Sequence, residues 1–456
     1  MTAQRTLIRD GWVITVDPEI GDVPSGDILI EDGRIVAVGP DLGVTDAEVI
    51  DATDRIVIPG FIDSHRHTWQ TALRNIAADW TLSQYITGVL VQLGAIYRPE
   101  DTYVGGLLGV LEALDGGITT MLDWSHALNT PDHADAALDA LVESRARAVL
   151  AHGNANSIWL GPASADWSDV RRLREGRCSS EDGLVTMAMA VRGPDFGSIE
   201  AAEEDWAAAR RLGLRITVHI GVGGFGSRHV SLLNDRGLLG ADTTYVHCSR
   251  LDDDELAMIA ATGGTASVAC EVEMHMGHGY PPTGRLLAAG VRPSLSIDVC
   301  TGIGGDMFAA MRSTLSMQRA MANDEMLNAG VTPEHLEVTT RDVLEFATIQ
   351  GARALGLEDR TGSITPGKDA DLVLLRTDQL NMFPVNHPVA SVALAANTSN
   401  VDTVLVRGEV VKRNGVLVGV DLPRLRRLAD DSRDFLLSSV QAPRDGAWQP
   451  AAFAAG

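Results

Sequence analysis

His65 and His67 stand one residue apart at the end of the apolar run Pro59-Gly60-Phe61-Ile62-Asp63-Ser64-His65-Arg66-His67. Side chains alternate between the faces of a β-strand, so Phe61, Asp63, His65 and His67 are expected on one face, where both imidazoles can reach one metal ion. Taken alone the pair is weak evidence, because two ordinary histidines at this spacing are commoner than a metal site. Other strand-like runs end in matching residues: His219 in Thr217-Val218-His219-Ile220-Gly221, His247, and Asp298 in Ser296-Ile297-Asp298-Val299. A carboxylate closing an apolar strand is costly to bury without a partner, so Asp298 calls for a cation. His65, His67, His219 and Asp298 form a three-nitrogen, one-carboxylate set suited to Zn²⁺ or Fe²⁺, with room left for water.

Some element must bring such distant residues together. From about Pro59 to about Leu357, strand-like runs alternate with Ala/Leu/Arg-rich helical runs, the pattern of βα units around a parallel sheet. Eight strands are expected, ending near His67, Asp123, His152, Arg192, His219, His247, Glu273 and Asp298. The fold class read from this is α/β, a (β/α)8 TIM-type barrel, in which strand C-termini converge on one site. A doubly wound open sheet is the alternative, but no glycine-rich phosphate loop follows the first strand. On strand seven, Thr265, Ser267, Ala269, Glu271 and Glu273 alternate on one face, so both glutamates are expected to point to the barrel mouth.

Residues 6–58 read as short β segments with an Asp32-Gly33 hairpin, and similar patterns return at Asp371–Leu375 and Val401–Gly408. The expected organisation is a small β-sandwich built from both chain ends, 1–58 and 361–420, with the barrel 59–360 inserted between them. An amphipathic helix and an Ala/Gly/Pro-rich tail occupy 421–456, the tail loose or packed on a partner subunit of a homo-oligomer, a dimer or tetramer.

With 456 residues, 45% hydrophobic, the chain can bury a large core, and its net charge of -24 argues against nucleic acid as a partner. Cys178, Cys248, Cys270 and Cys300 form no CxxC pair and no disulfide framework, which fits a reducing cytoplasm. No export signal or membrane-spanning run is read. Only Lys368 and Lys412 are lysines, and both lie beyond the histidine-bearing segment, which argues against a lysine carbamate bridging two metals.

Two histidines on strand one, one each on strands five and six, and an aspartate on strand eight make an order that resembles the amidohydrolase superfamily. Asp51-Ala52 with the Pro59–His67 run, Gly116-Gly117-Ile118-Thr119-Thr120-Met121-Leu122-Asp123, and Gly362-Ser363-Ile364-Thr365-Pro366-Gly367-Lys368-Asp369-Ala370-Asp371-Leu372-Val373 carry the resemblance over nearly the whole chain. It is most similar to the branch of guanine- and adenosine-type deaminases and triazine chlorohydrolases, whose members hold one metal and no bridging lysine. The resemblance implies one divalent ion, zinc first and iron second, on His65, His67, His219 and Asp298. It implies Asp298 as the base, His247 as the group that polarises substrate or water, and a small-molecule substrate near Trp69 and Gln70. For Gln70 a helix-start surface amide is the equal alternative, and His126 and His152 either line the pocket or are structural.

The branch usually has a glutamate three residues after the strand-five histidine, where this chain has Val222. Glu273 is then expected to carry protons and Glu271 to face substrate, whereas His275 and His278 read as loop residues. The function expected is hydrolysis of a C–N or C–halogen bond of a small cyclic, nitrogen-containing molecule. The alternatives are a lyase, dehydratase or ring-opening enzyme on the same metal, and an inactive barrel scaffold.

Overall fold

In the computed structural model, residues 5–155, 166–442 and 448–451 are described. The N-terminal strands are β1 (Arg5–Ile14), β2 (Asp22–Glu31), β3 (Arg34–Gly39), β4 (Glu48–Asp51) and β5 (Arg55–Pro59). After β5 the chain passes into a second sheet through Gly60. A methyl group there would lie 2.0 Å from Thr119 Oγ1, so only glycine lets the next strand begin this close to its neighbour.

That second sheet is the barrel. Its strands β6 (Phe61–Arg66), β7 (Ile118–Ser125), β8 (Arg147–His152), β9 (Val185–Val191), β10 (Arg215–Ile220), β11 (Thr243–His247), β12 (Thr265–Val268) and β13 (Ser294–Leu295) pair in chain order, every pair parallel. Closure comes from Asp298, whose N–H donates to His65 C=O (2.9 Å) and whose C=O accepts from His67 N–H (2.8 Å). On β10, Ile216, Val218 and Ile220, alternating with Thr217 and His219, pack into the core shared with the helices. Inside the barrel a separate cluster of Ile62, Leu122, Trp124, Val149, Ala188, Ala190 and Val246 fills the floor, with Leu355 below.

Two local expectations are corrected. Phe61 to His67 do not simply alternate: Phe61 packs edge-on against Phe308 at 5.0 Å in the helix layer, whereas Ile62 joins the barrel interior. A register shift between Asp63 and Arg66 then turns His65 back toward the barrel axis. Strand seven is shorter than expected, because β12 stops at Val268 and a helix runs from Cys270 to Met276. Residues two apart on a helix point about 200° apart rather than the same way. Glu271 and Glu273 are therefore separated.

The chain returns through β14 (Leu372–Arg376), β15 (Val401–Val406), β16 (Glu409–Arg413) and β17 (Val416–Leu417). These join β1–β5 in one nine-stranded sheet. Alternation is clean here: Val57, Leu372 and Leu374 enter the sheet's own core, and Ile56, Ile58, Val373 and Leu375 pack toward the barrel. Among the described residues this core is drawn from both chain ends and from no helix.

The helix Leu422–Ser439 buries Leu425, Leu436 and Leu437, and Trp448 beyond it stacks edge-on with Trp80 at 5.2 Å. That part of the expected tail packs on its own chain, and 443–447 and 452–456 lie outside the described residues. Among the described residues no helix is long and apolar enough to cross a membrane.

Barrel and returning segment are tied by Arg147 at the start of β8, which donates from Nε to Asp371 (2.7 Å) and from a terminal nitrogen to Asp369 (2.8 Å), all three buried. Removing one partner of a buried ion cluster strands the others. Arg147→Met is expected to cost about 3–5 kcal/mol, read as a lowered urea midpoint, with the metal content of the folded protein unchanged.

Candidate metal centre

Each side chain of the cluster comes from a strand end. His65 Nε2 lies 3.2 Å from Asp298 Oδ1 and 3.2 Å from His219 Nε2, and His67 Nε2 lies 3.4 Å from the same Oδ1. His65, His219, His247 and Asp298 offer donor atoms all within 4.8 Å of one another, and all four are buried. His247 approaches the other oxygen, with Nε2 3.7 Å from Asp298 Oδ2. Asp298 (φ 66°) and His247 (φ 73°) both hold left-handed backbone, a conformation costly for residues with a Cβ and one that persists where the surroundings enforce it.

These spacings fit a cation. Donor atoms on a tetrahedral zinc at about 2.0–2.1 Å lie about 3.3 Å from each other. A proton on His65 Nε2 satisfies only one of the two acceptors beside it, whereas one divalent ion satisfies them all. Burial, joined by the neighbouring imidazoles, lowers His65, His67 and His219 below the usual histidine range, so they are neutral and free to ligate. Burial pushes Asp298 up, but His65, His247 and His67 outweigh it and hold the carboxylate well below its ordinary range. His247 differs: burial lowers it, but the hydrogen bond to Glu273 and the charge of Asp298 prevail and raise it. Glu273 engages His247 Nδ1, so His247 turns Nε2 toward Asp298 Oδ2.

Behind the cluster, partners fix ring orientation. His67 Nδ1 sits 3.1 Å from Trp124 O and 2.9 Å from His126 Nε2, leaving Nε2 for the metal. Glu273 Oε1 lies 3.2 Å from His247 Nδ1 and accepts from Ala269 N–H at 2.9 Å. Trp124 forms the floor, 4.1 Å centroid to centroid from His219.

Above lies a small cavity of about 40 Å³, walled by Leu82, Tyr85, Ile86 and Leu90 on one side and Phe196, Val222, Met276, His278 and Val299 on the others. Glu273 enters through His247 rather than from a strand mouth. Glu271 is turned outward to Ser313 Oγ at 3.1 Å and does not line the cavity. Neither does Gln70, whose Nε2 donates to the Tyr85 hydroxyl, nor Trp69, which packs edge-on against Tyr97 and His126. His126 does line it; His152 is paired with Asp169 (2.9 Å) and His275 reaches Ala78 O at the surface. The lysines are remote from the cluster, Lys412 on Asp115 and Lys368 on Thr361 O. Val222 N–H donates to Asp195 (3.1 Å), which also binds His229 (2.6 Å).

Tyr85 and Phe196 are pocket residues that the sequence did not single out, and His278, read there as a loop residue, lines the cavity instead. Tyr85 lies in a segment that winds into a π-helical stretch, Ile86–Leu93, with no periodic signal pointing at the barrel.

A model of the amidohydrolase family matches residues 56–411. The chain belongs to this family. It is a metal-dependent hydrolase with a divalent metal site. A 5'-deoxyadenosine deaminase of Methanothermobacter thermautotrophicus is 29% identical over 432 residues, covering 92% of this chain and 97% of the relative. A 5-methylthioadenosine/S-adenosylhomocysteine deaminase of Desulforudis audaxviator is 30% identical over 450 residues, covering 96% and 100%. Among solved structures, an adenosine deaminase from Xanthomonas campestris with bound zinc superposes with a TM-score of 0.85 at 25% identity, covering 95% of this chain and 98% of the other. A mutant atrazine chlorohydrolase from Arthrobacter aurescens TC1, with zinc and atraton, shares the fold at a TM-score of 0.82 and 23% identity, covering 94% and 100%.

The two glutamates of this amidohydrolase separate cleanly by mutation. Removing a positioned acid or base costs about 10²- to 10⁴-fold. Glu273→Gln is expected to lower kcat by at least the lower figure at unchanged metal content, and Glu271→Gln by no more than about twofold, as two parallel turnover assays would show.

Proposed function

We propose that this enzyme replaces an amino group or halogen on a carbon of a small nitrogen-containing ring by hydroxyl, with one divalent ion, zinc or else iron, held by His65, His67, His219 and Asp298. The observation that carries the reading is the convergence of three imidazole Nε2 atoms and one carboxylate oxygen at the base of the cavity. When bound, the ion supplies a Lewis acid and draws the pKa of coordinated water toward neutrality.

The chain's own residues divide the remaining work. Asp298 Oδ1 faces His65 and His67 and belongs to the ligand set, while Oδ2, on the side of His247, takes the proton of the attacking water. His247, its Nδ1 engaged by Glu273, donates from Nε2 to the ring atom on which charge builds. The Tyr85 hydroxyl accepts from Gln70, so its own proton is left to donate into the cavity. Gln70 thus acts on substrate through Tyr85. The apolar wall excludes bulk water and strengthens each of these contacts.

Deaminases of purine nucleosides among the relatives support an amino leaving group, and the zinc-holding structural neighbours support zinc. Four free, buried cysteines support action in a reducing cytoplasm. Val222, where this branch usually has a carboxylate, favours the second reading, a lyase or ring-opening step. Ammonia release from 5'-deoxyadenosine and 5-methylthioadenosine and chloride release from atrazine, measured on zinc-loaded protein, decide between them. Release of either with Asp298→Asn reduced by at least about 10²-fold is expected; consumption of the ring compound with release of neither product selects the lyase reading.

Metal analysis is expected to give about one divalent ion per chain, because three histidines and one carboxylate complete a single site. His219→Ala should lose the ion and turnover yet keep the barrel's far-ultraviolet circular dichroism, since His219 is one interior side chain among the large core. Two tightly held ions per chain would refute the mononuclear assignment.

A further inference from the structure

His278 is buried at 3% exposure, and neither of its ring nitrogens has a hydrogen-bond partner among the described residues. Its ring stands edge-on to His247 at 4.7 Å and lines the cavity above the metal cluster. A polar side chain so deeply buried is normally paired, and one left unpaired in a cavity is spare hydrogen-bonding capacity facing whatever fills it.

The backbone shows that this placement is built. Gly277 (φ 84°) ends the helix Cys270–Met276 in left-handed backbone that a side chain would strain, and His278 N–H then donates back to Glu273 C=O (3.2 Å). From the other side, Gly223 N–H donates to His278 C=O (3.0 Å), pinning this loop to the one that carries Val222. Thus the segment that presents His278 is clamped between the residue backing His247 and the apolar residue opposite. Burial, reinforced by the neighbouring His247, takes the imidazole down to about 3, so it stays neutral with one N–H and one bare nitrogen. Such a ring can face either a ring nitrogen or a ring N–H of a substrate. Among the described residues no lysine or arginine lines the cavity, so there a phosphate or carboxylate would be desolvated without a counter-ion from them.

We propose that His278 touches the substrate directly, hydrogen-bonding a ring nitrogen beside the carbon under attack, and that the site it completes accepts uncharged nitrogen-ring compounds and rejects those that carry an anionic group. The assignment rests on the hydrolase reading of this site. It gives the ring a polar anchor where position 222 offers none, and it involves no proton transfer.

The test uses zinc-loaded protein, wild type against His278→Phe and His278→Asn, with 5'-deoxyadenosine, its anionic counterpart adenosine 5'-monophosphate, and atrazine. Loss of one donor aimed at developing charge costs about 10²- to 10³-fold. His278→Phe is expected to lose that much in kcat/KM at unchanged zinc content and melting temperature, and His278→Asn, which keeps an N–H, to regain at least about tenfold of it. The monophosphate should turn over at least about 10²-fold less well than 5'-deoxyadenosine. A His278→Phe variant within about threefold of wild type, or equal turnover of the two nucleosides, overturns the proposal. Should His278→Phe melt early, His278→Leu is read by the same criteria. If wild type turns over no compound, the hydrolase reading is what has failed, and His278 is then judged by calorimetric binding of unsubstituted purine. Binding about tenfold weaker in His278→Phe supports the contact; equal affinity, or no binding to wild type, overturns it.

Discussion

Two backbone hydrogen bonds, Asp298 N–H to His65 C=O and His67 N–H to Asp298 C=O, close the seam between the last and first barrel strands. Everything at the site follows from them. They place Asp298 between the two histidines of strand one, so that its Oδ1 meets both Nε2 atoms. The left-handed backbone at Asp298 is the local cost of ending strand eight there, and the pairing on both sides enforces it. The same stitch therefore makes the barrel a closed fold and the strand ends a metal site.

Charge then decides which histidine does what. His65, His67 and His219 are stripped of protons by burial and by one another, and neutral imidazoles bind metals. His247 stands equally deep, yet the hydrogen bond to Glu273 and the charge of Asp298 raise it. One added carboxylate partner separates a proton donor from three ligands of the same residue type. A buried carboxylate ringed by imidazoles is a poor arrangement without a cation and a good one with it, which is the physical reason for a divalent ion here.

The departure at position 222 belongs with the helix that replaces the end of strand seven. Because the chain coils from Cys270, Glu273 turns in to His247, Glu271 turns out to Ser313, and His278 comes back over the cavity at the helix end. The nearest carboxylate to Val222, Asp195, is engaged with Val222 N–H and His229. The Leu82–Leu90 wall, braced by Trp80 against Trp448, lines one side of the cavity.

The sequence by itself determined the order of the chemistry-bearing residues, His65 and His67, then His219, His247 and Asp298, together with the period-2 faces that separate Thr217 and His219 from Ile216, Val218 and Ile220. Those signals are local: strand alternation and strand ends are written in a few consecutive residues, and the barrel makes strand ends converge whatever their separation. It also carried the pairing of both chain ends, because alternating apolar strands need a partner surface. What only the tertiary structure decided was direction. Whether Glu271 and Glu273 lie on a strand or a helix depends on how far β12 can pair, and pairing is a property of its neighbours. The turn of His65 into the barrel despite broken alternation needed the register shift against β7. Gln70 reaches the cavity only through Tyr85, and His278 only through the fold of its loop onto Gly223. Such placements depend on contacts between segments far apart in the chain, for which no short run of residues holds the information.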